Sequence, residues 1–488
     1  MKRRLRRLVL FALIAVWLGT AYWHATKPLP QGTHVASALC PVPAAQVGFI
    51  ADITAADAYG RTVLSQAIFD EVLKLVRGAR HVIVLDYALI GAAGSATPQR
   101  RIAGELTDAL LAQRRAFPQL KVLLISDPVN ERYGAVRSEE LQLLRAAGAD
   151  VVAVRLDRLR DPNFLYSSLW RLALRWWDGP RGPLGFQVRE LNFKADHRKV
   201  AIADDGADAL VAVVGSANPQ DAQSGWSNIA VRVSGDSVGA LLASELAIAR
   251  FSGWSGDSEP FLRVADPHAP EQCSRGLPTS AAPAPLTADT VRVQVLTEGA
   301  LRSALLERTA ASARGDSIDI AGFGLADRGV IEALLDASRR GVAVHLILDP
   351  SEDATTLVPS GLPNQPAASE LVARSGGAVR VRWYRTHGER FHPAFALFSG
   401  RQSVWLTVGS ANFTRRGLDD YNLEATVALE ALRDAPLAVQ AQGYFDTLWG
   451  NRAALGIEYT ADFAAFADSK QTNFWLYRLL EGTGFTAF

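Results

Sequence analysis

Apolar and polar positions along the chain follow two rhythms, and the rhythms recur in the same order in two separate passages. Residues 63–77 carry apolar side chains at helical spacing. The β-branched run "HVIVLDYALIG" follows, then a second helical pattern, then "LKVLLISDP". Later, residues 301–313 carry another helical pattern, followed by "SIDIAGFGLAD", "VIEALLDASRRG" and "VAVHLILDP". Both passages predict helix, strand, helix, strand, and both end in Asp-Pro, at Asp127-Pro128 and Asp349-Pro350. Amphipathic helices interleaved with short apolar strands predict an α/β fold with helices packed on sheets.

The two passages are separated by "ADPHAPEQCSRGLPTSAAPAPLTADT", residues 265–290, whose Pro, Ala and Ser content reads as a linker. A domain is expected on each side of it, over 47–260 and 291–451. The length of 488 residues agrees with two cores rather than one. Residues 452–488 form a tail in which "NFWLYRLLEGTGF" predicts a short helix capped by Gly482 and Gly484 and docked on the body.

At the other end, Lys2, Arg3, Arg4, Arg6 and Arg7 precede an uncharged apolar stretch over 8–23. A cationic start followed by an apolar core predicts an anchor or a cleaved signal within residues 1–30. Its length is near the lower limit for a span, about 17–25 residues. Trp17, Tyr22 and Trp23 suit a membrane interface. Either reading takes the body out of the cytoplasm. A second stretch, "FLYSSLWRLALRWWDGP" at 164–180, mixes Trp170, Trp176 and Trp177 with Arg171 and Arg175. That mix suits a lipid headgroup layer and equally a helix packed on the domain surface.

Composition narrows the function. Hydrophobic residues at 49% and charged residues at 21% exclude a disordered chain. A net charge of +1 gives no general basic surface for nucleic acid. The two cysteines, Cys40 and Cys273, lie in no metal-ligand pattern, so no metal is expected. A bridge between them and two separate thiols both fit an exported chain.

The chemistry sits in a second set of repeats. "HRKVAIAD" runs from His197 to Asp204 and is followed by "VVGSANPQ"; "HPAFALFS" runs from His392 to Ser399 and is followed by "TVGSANFT". Cleaving a phosphodiester requires a nucleophile, an acid for the leaving alkoxide, and cations for the phosphoryl oxygens. Imidazole can fill the first two roles. Alternation along a strand sets Lys199 on the same face as His197, beside the phosphate. Ser216 and Asn218 can add hydrogen bonds from the adjacent strand end. His387 is expected in a loop, and His24, His34, His81, His268 and His345 have no motif context.

The order HxKxxxxD then GSxN, met twice, resembles the phospholipase D superfamily, over roughly residues 47–451. The exported bacterial members related to cardiolipin synthases look most similar. The resemblance implies two α-β-α sandwich domains about a pseudo-two-fold axis, with both histidines facing one phosphate at their interface. It implies catalytic roles for His197, Lys199, Asp204 and His392. It implies phosphate contacts from Lys199, Ser216, Asn218, Ser410 and Asn412, a supporting Glu424, and no cofactor. A covalent phosphohistidine, with His197 as nucleophile and His392 as acid, is the implied route, and Glu424 is expected to raise the pKa of His392. The implied substrate is a membrane phospholipid. A monomer is expected at a bacterial inner membrane, its body on the periplasmic side, with no nucleic-acid partner.

The second copy departs from the pattern. Ala394 stands where the family has Lys and Ser399 where it has Asp. Arg390, Arg415 and Arg416 are the candidate replacements for the lost cation. Glu424 follows GSAN in the second copy, and Ala230 is read as its counterpart in the first. A nuclease of the same superfamily and a catalytically dead lipid-binding protein remain the alternatives.

Overall fold

A computed structural model describes residues 2–92, 100–178, 185–206, 209–263, 285–351, 359–452 and 456–486. Most of the Pro/Ala/Ser-rich linker, with His268 and Cys273, lies outside them. Cys40 is disulfide-bonded, and Cys273 is the only other cysteine in the sequence.

The described strands are β1 (Cys40–Pro43), β2 (Val47–Ala56), β3 (Thr62–Ser65), β4 (Val82–Tyr87), β5 (Lys121–Ser126), β6 (Asp150–Ala153), β7 (Lys199–Asp204), β8 (Leu210–Gly215), β9 (Asn228–Ser234), β10 (Thr290–Thr297), β11 (Ser317–Gly322), β12 (Ala343–Leu348), β13 (Val379–Tyr384), β14 (Ala394–Ser399), β15 (Ser403–Gly409), β16 (Ala425–Leu432) and β17 (Thr460–Asp462). One sheet runs β3-β2-β9-β8-β7-β4-β5-β6. The other runs β1-β10-β16-β15-β14-β11-β12-β13-β17. Seven strands therefore correspond one for one, from β2 with β10 to β6 with β13. In each sheet the β4-β5-β6 or β11-β12-β13 side is parallel and the rest antiparallel. The parallel steps are those crossed by helices, as the helix–strand pattern requires.

Strands buried on both faces read as continuous apolar runs, and β4, β7, β8 and β14 are buried throughout. The two sheets share a core. Val84, Val200, Val214 and Val231 of one half pack in the same cluster as Val293, Phe395, Val408 and Val427 of the other. Phe49 meets Phe395 and Tyr444 edge-on, at 6.2 and 5.4 Å between ring centres, and the Tyr384 hydroxyl donates to the Thr54 carbonyl. The halves are thus locked by burial of each other's apolar faces.

Three local readings change. Residues 63–77 are not one helix: β3 pairs with β2 at the sheet edge, and the helix begins at Ile68. Asp52 accepts from the Ala67 and Ile68 amides and fixes that start. The 164–180 stretch is a short helix, Phe164–Leu169, continued by a wider turn over Trp170–Leu174. The 452–488 tail is not helical throughout. It supplies β17 to the second sheet before the helix Gln471–Thr483. Gly484 alone caps that helix, at φ 69°, with Gly482 inside its last turn. The helix is docked as expected, its Glu481 accepting from the Arg415 amide and its Tyr477 donating to Glu370.

Residues Lys2–Thr26 form one helix, long and apolar enough to cross a membrane. Its second half lies on the body. The Trp17 indole donates to the Leu165 carbonyl at 3.0 Å, and Ser168 donates to the Trp17 carbonyl at 2.7 Å.

Candidate active site

Each histidine precedes a central strand of its own sheet and is held by the other half. The His197 amide donates to the Leu423 carbonyl at 2.9 Å, and the Leu423 amide donates back to Ala195. The His392 amide donates to the Ser227 carbonyl at 2.8 Å, and the Ser227 amide donates to Arg390. These reciprocal bridges carry the two rings to 6.3 Å between centres, at 68°. The pseudo-two-fold relation is thus built from backbone hydrogen bonds that cross between halves.

The repeated Asp-Pro residues serve the same end. Asp127 accepts from the Asp196 amide at 2.8 Å, one residue before His197. Asp349 accepts from the Phe391 amide at 2.9 Å, one residue before His392. Each carboxylate also accepts from the amide two residues after itself, Val129 or Ser351. These turns end the parallel strands β5 and β12, so the sheet aims the loops. The repeat was visible in sequence, but its purpose required the fold.

His197 Nδ1 lies 3.0 Å from the Glu424 carboxylate. The Ser410 hydroxyl donates to Glu424 at 2.5 Å, and Asn422 donates from 3.2 Å. Glu424 was expected beside His392; it sits on His197 instead, because residue 424 follows the Leu423 bridge. His392 Nδ1 faces the Ser216 carbonyl at 3.2 Å, which can only accept. Burial, then the charges of Lys199 and Arg416, hold His197 well below the ordinary imidazole pKa. Burial, then Lys199, His197 and Arg390, do the same to His392. Burial raises Glu424 to about 8 against the opposing pull of Lys199.

The equivalent of Glu424 in the first half is Asn228, not Ala230. Ser216 N bonds to Ile229 O as Ser410 N bonds to Ala425 O, which aligns 228 with 424. The Ser216 hydroxyl reaches Asn228 Oδ1 at 2.9 Å. Both GSAN serines are therefore committed to the neighbouring strand rather than free for a phosphate. Asn218 is occupied by Leu89 N and Gln223. Asn412 sits at the second strand end, partly exposed.

Lys199 is buried, with its ammonium on the His197 carbonyl at 2.7 Å. Burial lowers it to about 8. Asp204 does not belong with it. The strand from Lys199 to Asp204 spans roughly 16 Å at the usual rise. At its far end Asp204 accepts from the amides of Arg80, His81, Val82 and Gly206. Its role is to tie β7 to the start of β4. Ser399, at the equivalent end of β14, bonds to Gln442 instead. The Asp-to-Ser departure is thus structural.

Of the three candidate arginines, Arg415 is bound to Tyr421 and the helix end at Glu481 and Gly482. Arg416 acts electrostatically on both His197 and Glu424. It lines a cavity of about 510 Å³ with Val129, Tyr133, Val188, Leu191 and Phe193. Arg390 lies over Trp226 and Phe323, at 5.2 and 5.4 Å, and those rings flank His392 at 5.3 and 5.0 Å. Trp226, Phe323 and Arg390 carry no motif and are joined by topology alone. Behind the site, Arg198 is fully buried between Glu245 at 3.0 Å and Glu298 at 2.7 Å, and Glu298 also accepts from the Glu424 amide at 3.3 Å.

The family model described as "Cardiolipin synthase, PLD-like domain" matches residues 306–449. Residues 306–449 thus form a phospholipase D-like domain. The match covers the second half, the half with the degenerate motif, and the first half repeats that fold strand for strand. A search of curated proteins finds no match. Among solved structures, the phosphatidylserine synthase of Haemophilus influenzae Rd KW20 is similar over 93% of this chain and 95% of its own, at 13% identity and a TM-score of 0.54. The polyphosphate kinase of Porphyromonas gingivalis is similar over 96% of this chain and 56% of its own, at 14% identity and a TM-score of 0.42. Nuc, a phospholipase D family member from Salmonella typhimurium, covers 35% of this chain and 98% of its own, at 22% identity and a TM-score of 0.26. The first of these shares its fold with this chain over both halves.

Proposed function

We propose that this protein transfers phosphatidyl groups, or hydrolyses phospholipid phosphodiesters, through a phosphohistidine on His197. The observation that carries this reading is the meeting of His197 and His392, 6.3 Å between ring centres, with the buried cation Lys199 beside them. An Nδ1–H given to Glu424 leaves the Nε2 lone pair of His197 free to attack phosphorus. The P–N bond forms as the P–O bond to the alkoxide breaks. His392 gives its Nε2 proton to that alkoxide. The bound phosphodiester's negative charge offsets Lys199, Arg390 and Arg416 and so favours the protonated ring beforehand. In the second step His392 takes a proton from water or an alcohol, whose oxygen displaces His197. Glu424 balances the imidazolium-like charge of the adduct throughout.

Arg416 stands in for the lysine lost at Ala394. Its cavity sets the apolar Val129, Val188, Leu191 and Phe193 beside the charged Asp127, Glu190 and Lys194, which suits an amphiphilic lipid, as does the apolar N-terminal helix. That helix would anchor the chain in a bacterial inner membrane with the body outside the cytoplasm. Purified protein incubated with mixed phospholipids and glycerol, followed by lipid mass spectrometry, tests the reading. New phosphatidylglycerol, cardiolipin or phosphatidic acid, absent with His197→Ala, is expected. DNA or RNA degradation without lipid turnover would replace it with the nuclease reading.

A further inference from the structure

A second cavity, of about 590 Å³, lies away from both histidines, between the loop after β5 and the 164–178 segment. Five cationic side chains line it: Arg155, Arg171, Arg175, Arg189 and Lys194. Acids offset them only in part. Arg171 and Lys194 share one carboxylate, Asp161, and Arg189 pairs with Asp178. Arg155 reaches Asp157 only at 3.9 Å. Arg175 rests on the Trp176 ring at 4.7 Å and makes no ion pair among the described residues. Asn192 also lines the cavity. It is 4% exposed, and its side-chain oxygen is buried with no hydrogen-bond partner. Such an orphaned acceptor is costly unless a donor comes to it. The cavity thus offers cations for an anion, with an unsatisfied acceptor buried in its wall.

Its position names the source of that anion. The Lys2–Thr26 helix ends against the cavity wall: Lys27 donates to the carbonyl of Asp157, a lining residue, and the His24 carbonyl accepts from the Asp161 amide. On the two segments that meet there, Tyr22, Trp23, Leu169, Leu172, Trp176 and Trp177 are each exposed. Trp176 is 71% exposed, with Arg175 on its ring. Aromatic rings with arginine prefer the headgroup layer of a bilayer.

We infer that this cavity binds the headgroup of an anionic glycerophospholipid, its phosphate on Arg155 and Arg175, where the N-terminal helix leaves the membrane. The inference rests on that helix being membrane-embedded and not on the catalytic reading. The cavity shares Tyr133 and Lys194 with the one beside Arg416. A lipid held here therefore borders the cavity that Arg416 lines.

The test uses the full chain in neutral detergent, with bound dihexanoyl lipids counted by native mass spectrometry. Dihexanoyl-phosphatidylglycerol should bind at least about tenfold more tightly than dihexanoyl-phosphatidylcholine. The exposed pair Arg155→Glu and Arg175→Glu should erase that preference, while Arg155→Lys with Arg175→Lys should keep most of it. His197→Ala should leave it intact. Equal binding of the two lipids, or an unchanged preference in the Glu pair, would overturn the inference. Loss in His197→Ala would place the lipid in the catalytic site instead, and displacement by equimolar inorganic phosphate would make this a soluble-anion site.

Discussion

The two His motifs occupy equivalent strands, yet their surroundings have diverged in opposite directions. His197 has a lysine two residues on and receives a carboxylate, Glu424, from the other half. His392 has Ala394 two residues on and receives a backbone carbonyl, with an amide, Asn228, where its carboxylate would be. Because each half furnishes the other's histidine, the losses are not independent. Asn228 in the first half deprives the second half's histidine, and Glu424 in the second half serves the first's. The asymmetry suits a division of labour. A nucleophile gains from an anion behind it that steadies the phospho-adduct, and an acid gains from a carbonyl that fixes the tautomer without trapping the proton.

Removing the histidines should break the comparison most severely. His197→Ala is expected to abolish the covalent adduct and lower turnover on the order of 10³-fold or more. His392→Ala should cost as much on a natural phospholipid but far less on an aryl phosphodiester, whose leaving group needs no proton. Quench-flow trapping of labelled phosphate reads both. An adduct that survives His197→Ala and maps to His392 would reverse the roles.

Glu424→Gln comes next. It keeps size and the Ser410 contact but removes a carboxyl that, raised to about 8, can ionise as His197 gains charge, and a loss on the order of 10²-fold is expected. Asn228→Ala should cost much less. Similar losses at the two positions would mean that the halves are not specialised.

The repeats were legible because their residues are neighbours in sequence. HxK lies along one strand, GSAN at one strand end, and Asp-Pro at another, so the pattern survives without the fold. What was not legible depends on register or on contact across the halves. Asn228 escaped because the loops after the two GSAN motifs differ in length, so counting from the glycine landed on Ala230. Glu424 was assigned to the wrong histidine because its own half contains His392, whereas the Leu423 bridge delivers it to His197. Arg390 was a candidate from sequence, but Trp226 and Phe323, which it meets only in space, were not.

A smaller effect tests the cations. Lys199→Ala and Arg416→Ala should each cost more than about 2 kcal/mol of transition-state stabilisation, because a charge-assisted bond to phosphate is lost in a buried site. Lys199 also sets a pH limit. Burial lowers it to about 8, so it is charged below that pH and neutral above it. The kcat/KM of the wild type should therefore fall as pH rises through about 8. Lys199→Arg keeps its charge, so the fall should move to higher pH. An unchanged profile would assign the limb to another group, with Glu424 as the first candidate.

The smallest effect on chemistry is expected at Asp204, although it is part of the family pattern. Its carboxylate gathers four backbone amides at the far end of β7, away from His197 and His392. Removing it strands buried or half-buried donors, at about 1–3 kcal/mol for each that water cannot reach. Asp204→Ala should accordingly lower the melting temperature while leaving the kcat of the folded fraction within about threefold, a shift worth less than about 1 kcal/mol. At the equivalent position the chain already has Ser399, bonded to Gln442, so Ser399→Ala should change both quantities still less. A loss of kcat in Asp204→Ala with stability intact would return this residue to the catalytic machinery. The lysine and aspartate of the first motif would then act as one unit, rather than as a phosphate ligand and a strand tie that happen to share a strand.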